Sequence, residues 1–263
     1  MNNIIYTPLQ IREVFHLEFL RWFSRKMEAE RYCLKDGVNL RLFLRSIRYS
    51  EDMDIDIIGV RVEKIKKTVM EILSVRGFSD SLRSFGIEKV VPPDITKAKQ
   101  TETAQRFKIH LLTSGGEDLF TKIEFSRRGM KGVAVVEPVL AQVLRLYKMA
   151  PLLVPHYEAG SAVMQKIQAL AQRSVLQARD IFDLFLLLSS QYDGTAAWGG
   201  QVSKAVLKTA HDNIFLVGFS QFRDTVVAYL EAEDQKSYSS SAVWDEIKLK
   251  TALFIEELKN EKK

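Results

Sequence analysis

The chain is poor in the residues that serve cysteine and histidine chemistry. Its 263 residues include one cysteine, Cys33, which excludes an intramolecular disulfide, and four histidines that are scattered one to a segment. No cysteine pair of zinc spacing, no GxxxxGK[ST] or GxGxxG loop and no HExxH motif occurs. A Cys–His or Ser–His nucleophile has no local support either. These absences leave carboxylates as the candidate catalytic groups.

The chain also lacks a long hydrophobic run. No segment of about 18 or more apolar residues occurs, and the N-terminus has no basic-then-apolar signal pattern. We therefore expect a soluble protein without a membrane partner, located in the cytoplasm, where a lone cysteine stays reduced. Hydrophobic residues make up 46% and charged residues 27%, as in globular proteins. The formal charge of +5 fits an anionic partner such as a nucleotide or nucleic acid.

Two parts with different patterns follow one another along the chain. Residues 1–150 mix strand and helix signals, including the hairpin candidates FKIHLL and DLFTKIEFS around a glycine-containing turn, while residues 151–263 are dominated by helical periodicity. We predict an α+β fold, with an N-terminal mixed sheet flanked by helices and a helical C-terminal domain. A loop is predicted around Gly194, Gly199 and Gly200.

The first predicted helix begins at Thr7 and Pro8 and extends to about Glu30. A cap residue followed by proline is typical of a helix start, and apolar residues then recur at helical spacing. His16 and Glu18 could suggest a metal site. We expect them instead on the solvent-facing flank of the helix, because polar residues of an amphipathic helix usually lie there.

An acidic segment follows, in which Asp52, Asp54 and Asp56 alternate with apolar residues in the sequence DMDIDI. Alternate side chains of a strand face the same way, so the three carboxylates would share one surface. Carboxylates crowded together resist ionisation unless a cation offsets them, and they are the ligands that suit Mg²⁺ or Mn²⁺. The segment therefore predicts a divalent metal site, and the alternative is a solvent-facing acidic edge strand.

Two further features support the metal interpretation. Gly37 ends an apolar, β-prone run and predicts a turn that can approach phosphate, and Glu124 on the second hairpin strand would add a third carboxylate. Metal-assisted phosphoryl transfer uses such a set of oxygen ligands. The residues Arg41, Arg45 and Arg48 are spaced as on one helix face, which is either a solvated face or a surface that steers phosphate.

Three motifs in this chain resemble those of the AbiEii/AbiGii toxin family, a branch of the DNA polymerase beta-like nucleotidyltransferases. LKDGVNLRLFLRSIRYSEDMDID resembles the family pattern LKGGTxLxxxx…RxSEDIDL, and KIEFS resembles the strand of the third carboxylate. KIQALAQRSVLQARDIFDL is similar to a later motif of a lysine, an arginine and an Asp-x-x-Asp pair. The resemblance covers roughly residues 30–190 in matching order.

The resemblance implies an enzyme that moves a nucleotide from an NTP to an acceptor, which is RNA in some relatives, with Mg²⁺ or Mn²⁺ as cofactor. It also implies a toxin of a toxin–antitoxin or phage abortive infection system, with an antitoxin encoded by a neighbouring gene. The implied catalytic residues are Asp52, Asp54, Glu124, Lys166 and Asp180, of which the first three bind metal. The implied nucleotide-binding residues are Lys35, Gly37, Lys166, Arg173 and Asp183.

Alternatives stay open at three places. The metal-binding pair could be Asp54 and Asp56 in place of Asp52 and Asp54. The Asp52 and Asp54 pair is favoured, because Ser50-Glu51-Asp52 aligns with the Ser-Glu-Asp of the family. Lys166 and Arg173 would share one helix face towards phosphate, or Lys166 is a surface lysine and Asp180 complements a helix N-terminus. Where the family has Gly-Gly-Thr or Gly-Gly-Ser, this chain has Asp-Gly-Val at 36–38. The alternative function is therefore a catalytically weakened nucleotide- or RNA-binding protein of the same fold.

Overall fold

The computed structural model describes residues 6–94, 100–189 and 202–260, and the chain divides into two compact units. Unit 1 comprises Met1–Phe43 and Tyr49–Tyr157, and unit 2 comprises Leu44–Arg48 and Glu158–Lys263. Leu44–Arg48 thus interrupts unit 1 in sequence but belongs to unit 2. The loop predicted at Gly194, Gly199 and Gly200 lies outside the described residues.

Unit 1 is a mixed sheet with flanking helices, which confirms the α+β fold predicted from the sequence. Its helices are α1 Pro8–Phe23, α2 Asp36–Phe43, α3 Val62–Ser74, α4 Arg76–Arg83 and α5 Ala141–Leu146. Its strands are β1 Tyr32–Lys35, β2 Asp52–Ile57, β3 Ile87–Val91, β4 Ala104–Thr113, β5 Asp118–Ser126, β6 Ala134–Pro138 and β7 Leu153–Tyr157. They form one seven-stranded sheet in the order β3-β4-β5-β2-β1-β7-β6.

The central strands of this sheet bury one of their two faces. Met53 and Ile55 on β2 and Ile123 and Phe125 on β5 are fully buried, and Phe23 of α1 packs on Phe125 with ring centroids 5.4 Å apart. Since side chains alternate along a strand, the residues between these apolar ones project from the opposite face. The alternation of polar and apolar residues in DMDIDI and DLFTKIEFS therefore determines which side chains lie together on that second face.

Helix α1 begins as predicted and ends earlier than predicted. The Thr7 hydroxyl accepts a hydrogen bond from the backbone N–H of Gln10, and α1 ends at Phe23 rather than near Glu30. The placement of His16 and Glu18 on a solvent-facing flank is wrong, because both are buried. The helix is packed on nearly every side: His16 Nε2 lies 2.8 Å from Thr121 Oγ1 of β5, and burial lowers the pKa of His16 to about 3.

Unit 2 is helical, as predicted. Its helices are α6 Ala159–Gln172, α7 Ala178–Ser189, α8 Lys204–Ile214, α9 Phe219–Thr225, α10 Ala232–Ser237 and α11 Ser241–Asn260. Gly218 lies between α8 and α9, directly before the first residue of α9. Trp244 anchors α11 by stacking on Phe222 at 4.2 Å, and its indole N–H donates to the Val217 carbonyl. Within the described ranges, none of the helices is long and apolar enough to span a membrane.

Candidate active site

Three of the predicted site carboxylates lie side by side on one face of the sheet in unit 1. Strands β2 and β5 pair in parallel, with Asp52 opposite Lys122 and Asp54 opposite Glu124. Residues that are paired across neighbouring strands project from the same face. The register therefore brings Asp52, Asp54 and Glu124 together, and this is the face opposite the buried apolar residues.

Two cations lie among these carboxylates. Lys122 Nζ is 3.0 Å from Asp52 Oδ2 and 3.6 Å from Glu124 Oε2. Arg106 on β4 donates from Nε to Glu124 Oε2 at 2.7 Å and from Nη2 to Oε1 at 3.4 Å. Burial opposes the charge of Lys122, but the Asp52 carboxylate beside it raises its pKa above the usual value. Lys122 therefore carries the positive charge that lets Asp52 and Glu124 lie close together.

Asp54 shows that the cluster is still short of positive charge. Burial raises the pKa of Asp54 to about 7, and the negative charges of Asp36 and Glu124 contribute, against the opposing effect of Lys122 and Lys35. Oxygen donors in this number suit a hard divalent cation, whose charge would favour the ionised form. Among the described residues, however, no three acidic, histidine or cysteine side chains already surround one point. A metal ion would have to draw the carboxylates together, with Lys122 withdrawn.

The third aspartate of β2 has a different environment. Asp56 is buried, Lys35 Nζ donates to its Oδ1 at 2.6 Å, and the Tyr157 hydroxyl donates to its Oδ2 at 2.7 Å. Both oxygens are thus engaged by neighbours on β1 and β7. This arrangement favours the Asp52 and Asp54 register over the shifted register that would use Asp54 and Asp56.

The turn before the acidic strand differs from the predicted glycine turn. The residue with left-handed backbone is Asp36, at φ 54°, whereas Gly37 is buried within the first turn of α2. Aspartate tolerates this conformation better than most residues because its short polar side chain can make local hydrogen bonds. The turn therefore carries a carboxylate, and the negative charge of Asp36 is one cause of the raised pKa of Asp54.

The arginine stripe predicted on one helix face does not exist, because α2 ends at Phe43 and Arg45 adopts φ 56°. Arg41 stays on α2 and donates to Glu13 Oε1 at 2.7 Å. Arg48 is buried, and Arg45 is exposed. Neither a shared solvated face nor a shared phosphate-steering face is therefore formed by the three residues.

Unit 2 holds a second charged cluster. Lys166 Nζ on α6 lies 3.2 Å from Asp180 Oδ1 and 2.9 Å from Asp183 Oδ2, both on α7. Arg48 donates to the two Asp183 oxygens at 2.9 and 2.8 Å. Arg173 Nε is 3.0 Å from Asp180 Oδ2. Burial alone would raise the pKa of Asp183, but Arg48 and Lys166 hold it below its usual value.

This cluster corrects two expectations. Lys166 is not a surface lysine, because only 3% of it is exposed. Lys166 and Arg173 do not share a helix face either, since α6 ends at Gln172 and Arg173 has extended backbone. They contact different oxygens of Asp180, Lys166 its Oδ1 and Arg173 its Oδ2. Asp180 and Asp183, spaced one helical turn apart, face them from α7.

The comparison with protein families decides where the chain belongs. A family model described as nucleotidyl transferase AbiEii toxin, type IV toxin–antitoxin system, matches residues 18–249. The chain belongs to the AbiEii family. It is a nucleotidyltransferase of that toxin family, as the motifs around Asp52, Glu124 and Lys166 predicted.

Solved structures of other proteins share the fold of this chain. MenT4, nucleotidyltransferase toxin Rv2826c from Mycobacterium tuberculosis H37Rv, is 16% identical with a TM-score of 0.65, over 94% of this chain and 84% of that one. JHP933 from Helicobacter pylori is also 16% identical, with a TM-score of 0.55 over 98% of this chain and 94% of that one. At this identity the likeness concerns the fold. None of the curated proteins matches the chain.

Two charged residues near the carboxylates, Lys122 and Arg106, were not predicted from the sequence of this AbiEii-family chain, and Arg48 was predicted on a different surface. Lys122 is two positions before Glu124 on β5, so strand alternation alone could have placed it on the carboxylate face. Arg106 could have followed from the hairpin register, which pairs it with Glu124. Arg48 had no comparable signal, because its partner Asp183 is 135 positions away.

Proposed function

We propose that this AbiEii-family protein transfers a nucleotide from an NTP to an RNA acceptor in a Mg²⁺- or Mn²⁺-dependent reaction. The observation that carries the proposal is the cross-strand placement of Asp52, Asp54 and Glu124 on one face of the sheet. Asp54, with a pKa raised to about 7, supports it because a carboxylate that resists ionisation is stabilised by an added cation. When bound, the metal ion would neutralise the triphosphate and polarise its phosphoryl oxygen.

Each remaining predicted residue has a proposed role. In unit 1, the backbone N–H of Gly37 and the ammonium group of Lys35 are proposed to face the nucleotide phosphates, although Lys35 is also tied to Asp56. In unit 2, Lys166 and Arg173 are proposed to contact the nucleotide, positioned by Asp180 and Asp183 through the ion pairs of that cluster. The magnesium dependence, the NTP, the RNA acceptor and the cytoplasmic location are part of this proposal.

Membership of a type IV toxin–antitoxin family implies an antitoxin partner. We propose that the antitoxin is encoded by a neighbouring gene and that the system acts in phage abortive infection. The proposal predicts that the protein arrests growth when it is expressed alone and that co-expression of the neighbouring gene restores growth. An arrest that persists in a variant without transferase activity would contradict the proposed link between toxicity and nucleotide transfer.

The single-residue test uses labelled NTPs, Mg²⁺ and total RNA with wild-type protein, Asp54→Asn and Asp80→Asn. Wild type should label RNA, and Asp54→Asn should lower the rate by about 100-fold or more, because a metal ligand is lost. Asp80→Asn is the matched control, since Asp80 is an exposed carboxylate of α4 that pairs with Arg83. Equal labelling by wild type and Asp54→Asn would contradict the assignment of the site.

The rival function is a nucleotide- or RNA-binding protein with weakened catalysis, and Asp36 is the observation that favours it. A carboxylate at this turn repels a triphosphate and contributes to the raised pKa of Asp54. Calorimetry with each NTP and Mg²⁺ separates the two functions. Binding without labelled product from any of the four NTPs would support the rival, whereas repeated turnover would exclude it.

A further inference from the structure

The β4–β5 hairpin extends the face that carries the site carboxylates. The antiparallel register pairs Arg106 with Glu124, Lys108 with Lys122, and His110 with Phe120. Because β5 also pairs with β2, all of these side chains project from the same face as Asp52 and Asp54. We call the group Arg106, Lys108, His110, Phe120 and Lys122 the hairpin face.

An aromatic pair lies on this face. Phe120 is 56% exposed, and its ring centroid is 4.1 Å from that of His110. A single exposed apolar side chain needs no explanation. An exposed ring that a second ring holds in place, on a sheet with cations beside it, is the arrangement that stacks bases of single-stranded nucleic acid.

Lys108 provides the charge for a phosphate. It lies directly opposite Lys122, and like charges in that position destabilise a strand pair. Lys122 is compensated by Asp52 and Glu124. Lys108, by contrast, is exposed and makes no ion pair with any residue in the described ranges. Its charge is therefore available to an anion from outside, on the strand that pairs with the strand of Glu124.

We propose that the hairpin face binds the single-stranded end of the acceptor nucleic acid, with one base stacked on Phe120 and a phosphate paired with Lys108. This proposal rests on the nucleotidyl transfer proposed above, because it assigns a binding surface to the acceptor of that reaction. Along β5, Phe120 is two residues from Lys122 and four from Glu124, or about 7 and 13 Å at the usual rise of a strand. A base stacked on Phe120 would therefore lie about 7 Å along the strand from Lys122, which contacts Asp52 and Glu124. The net charge of +5 favours the same class of ligand.

The test is fluorescence anisotropy of a labelled single-stranded RNA oligonucleotide, measured without NTP or metal so that binding is independent of turnover. Phe120→Ala should weaken binding by about 10-fold, the size expected for one stacked base. Phe120→Trp should retain it. The binding constant of Lys108→Gln should depend less steeply on salt. The magnitude of the slope of log K against log salt should fall by about 0.7, as expected for one lost phosphate contact with a single strand.

Two control variants match these changes elsewhere on unit 1. Val136→Ala alters another exposed apolar side chain, on strand β6, and Lys64→Gln removes another exposed positive charge, on α3. Both should bind the oligonucleotide like wild type. A melting temperature for each variant shows that it is folded. If Val136→Ala weakened binding as much as Phe120→Ala, the stacking role of Phe120 would be refuted.

Three other outcomes would overturn the proposal. One is unchanged oligonucleotide affinity in both Phe120→Ala and Lys108→Gln. Another is a loss confined to NTP binding, which would place the stacked base on the donor nucleotide. The third is equal binding of polyglutamate, which would indicate an acidic protein partner. These outcomes differ from a failure of the proposed reaction. That failure would be the absence of labelled RNA in the assay with wild-type protein, whether or not the oligonucleotide binds.

Discussion

Lys122 and a divalent ion would compete for the same carboxylates. The ammonium group lies 3.0 Å from Asp52 and 3.6 Å from Glu124, so two of the three proposed metal ligands already contact a cation. Lys122 offsets the repulsion between the acidic side chains and would stabilise the site in the absence of a metal ion. A metal ion that bound the same carboxylates would have to displace Lys122, which would weaken the binding of the ion.

Replacing Lys122 with glutamine should therefore make the protein more dependent on metal. Without metal, Lys122→Gln should melt at a lower temperature than wild type, because the carboxylates lose their counter-charge. Added Mn²⁺ should raise the melting temperature more in this variant than in wild type, because binding to the folded state alone stabilises it. Lys108→Gln is the control, since it removes the charge opposite Lys122 and Lys108 forms no ion pair with a carboxylate in the part of the chain that the structure describes. Equal Mn²⁺ shifts in all three proteins would exclude competition.

Side-chain orientation on the acidic strand was predictable because strand geometry alone determines it. The alternation in DMDIDI predicted that Asp52 and Asp54 share a face, and the hairpin pattern predicted the strand of Glu124. The environment of each carboxylate was not predictable in the same way. Asp56 belongs to the same alternation, yet Lys35 and Tyr157 bury it. That difference depends on which strands are neighbours, and a local pattern carries no such information.

At the level of elements, the connection from β1 to α2 departs most from expectation. A glycine in the sequence suggested a turn at Gly37, but the left-handed residue is Asp36 and the helix has already begun. The arginine spacing likewise assumed a helix longer than α2. Regular segments such as α3 and the β4–β5 hairpin were predictable because their periodicity extends over many residues. Helix ends depend on a few local contacts, and periodicity does not show them.

Changing Asp36 tests the functional consequence of this connection. Asp36→Asn keeps a residue that tolerates left-handed backbone and removes a negative charge that contributes to the raised pKa of Asp54. Asp36→Gly also removes the strain of a side chain at positive φ, which should stabilise the folded state by roughly 1 kcal/mol. Both variants should bind Mg²⁺–NTP several-fold more tightly than wild type in calorimetry, because a repulsive carboxylate is gone. Asp80→Asn, which removes an exposed carboxylate of α4, should bind Mg²⁺–NTP like wild type. Weaker binding in Asp36→Asn would show instead that this carboxylate takes part in holding the metal.

At the level of the whole molecule, the chain passes from unit 1 to unit 2 and back before it enters the acidic strand. The passage is Leu44–Arg48, and its last residue pairs with Asp183 inside unit 2. Sequence patterns predicted a simple boundary near residue 150, because composition changes there. They could not assign a short internal segment to the later part of the chain, since that assignment depends on contacts between residues far apart in sequence, such as Arg48 and Asp183, which are 135 positions apart.

Loss of the Arg48 side chain should therefore destabilise unit 2, although Arg48 lies in the first fifth of the sequence. Arg48→Ala leaves Asp183 buried with Lys166 as its remaining ion-pair partner among the described residues. Breaking a buried pair in this way costs about 3–5 kcal/mol. In hydrogen exchange, peptides from 158–189 and 204–260 should lose protection, while peptides from β2, β4 and β5 should keep theirs. Arg45→Gln, an exposed change in the same segment, should alter neither set. If Arg48→Ala lowered the protection of peptides from both units equally, the two units would unfold together. They would then be separate in their contacts but not in their stability.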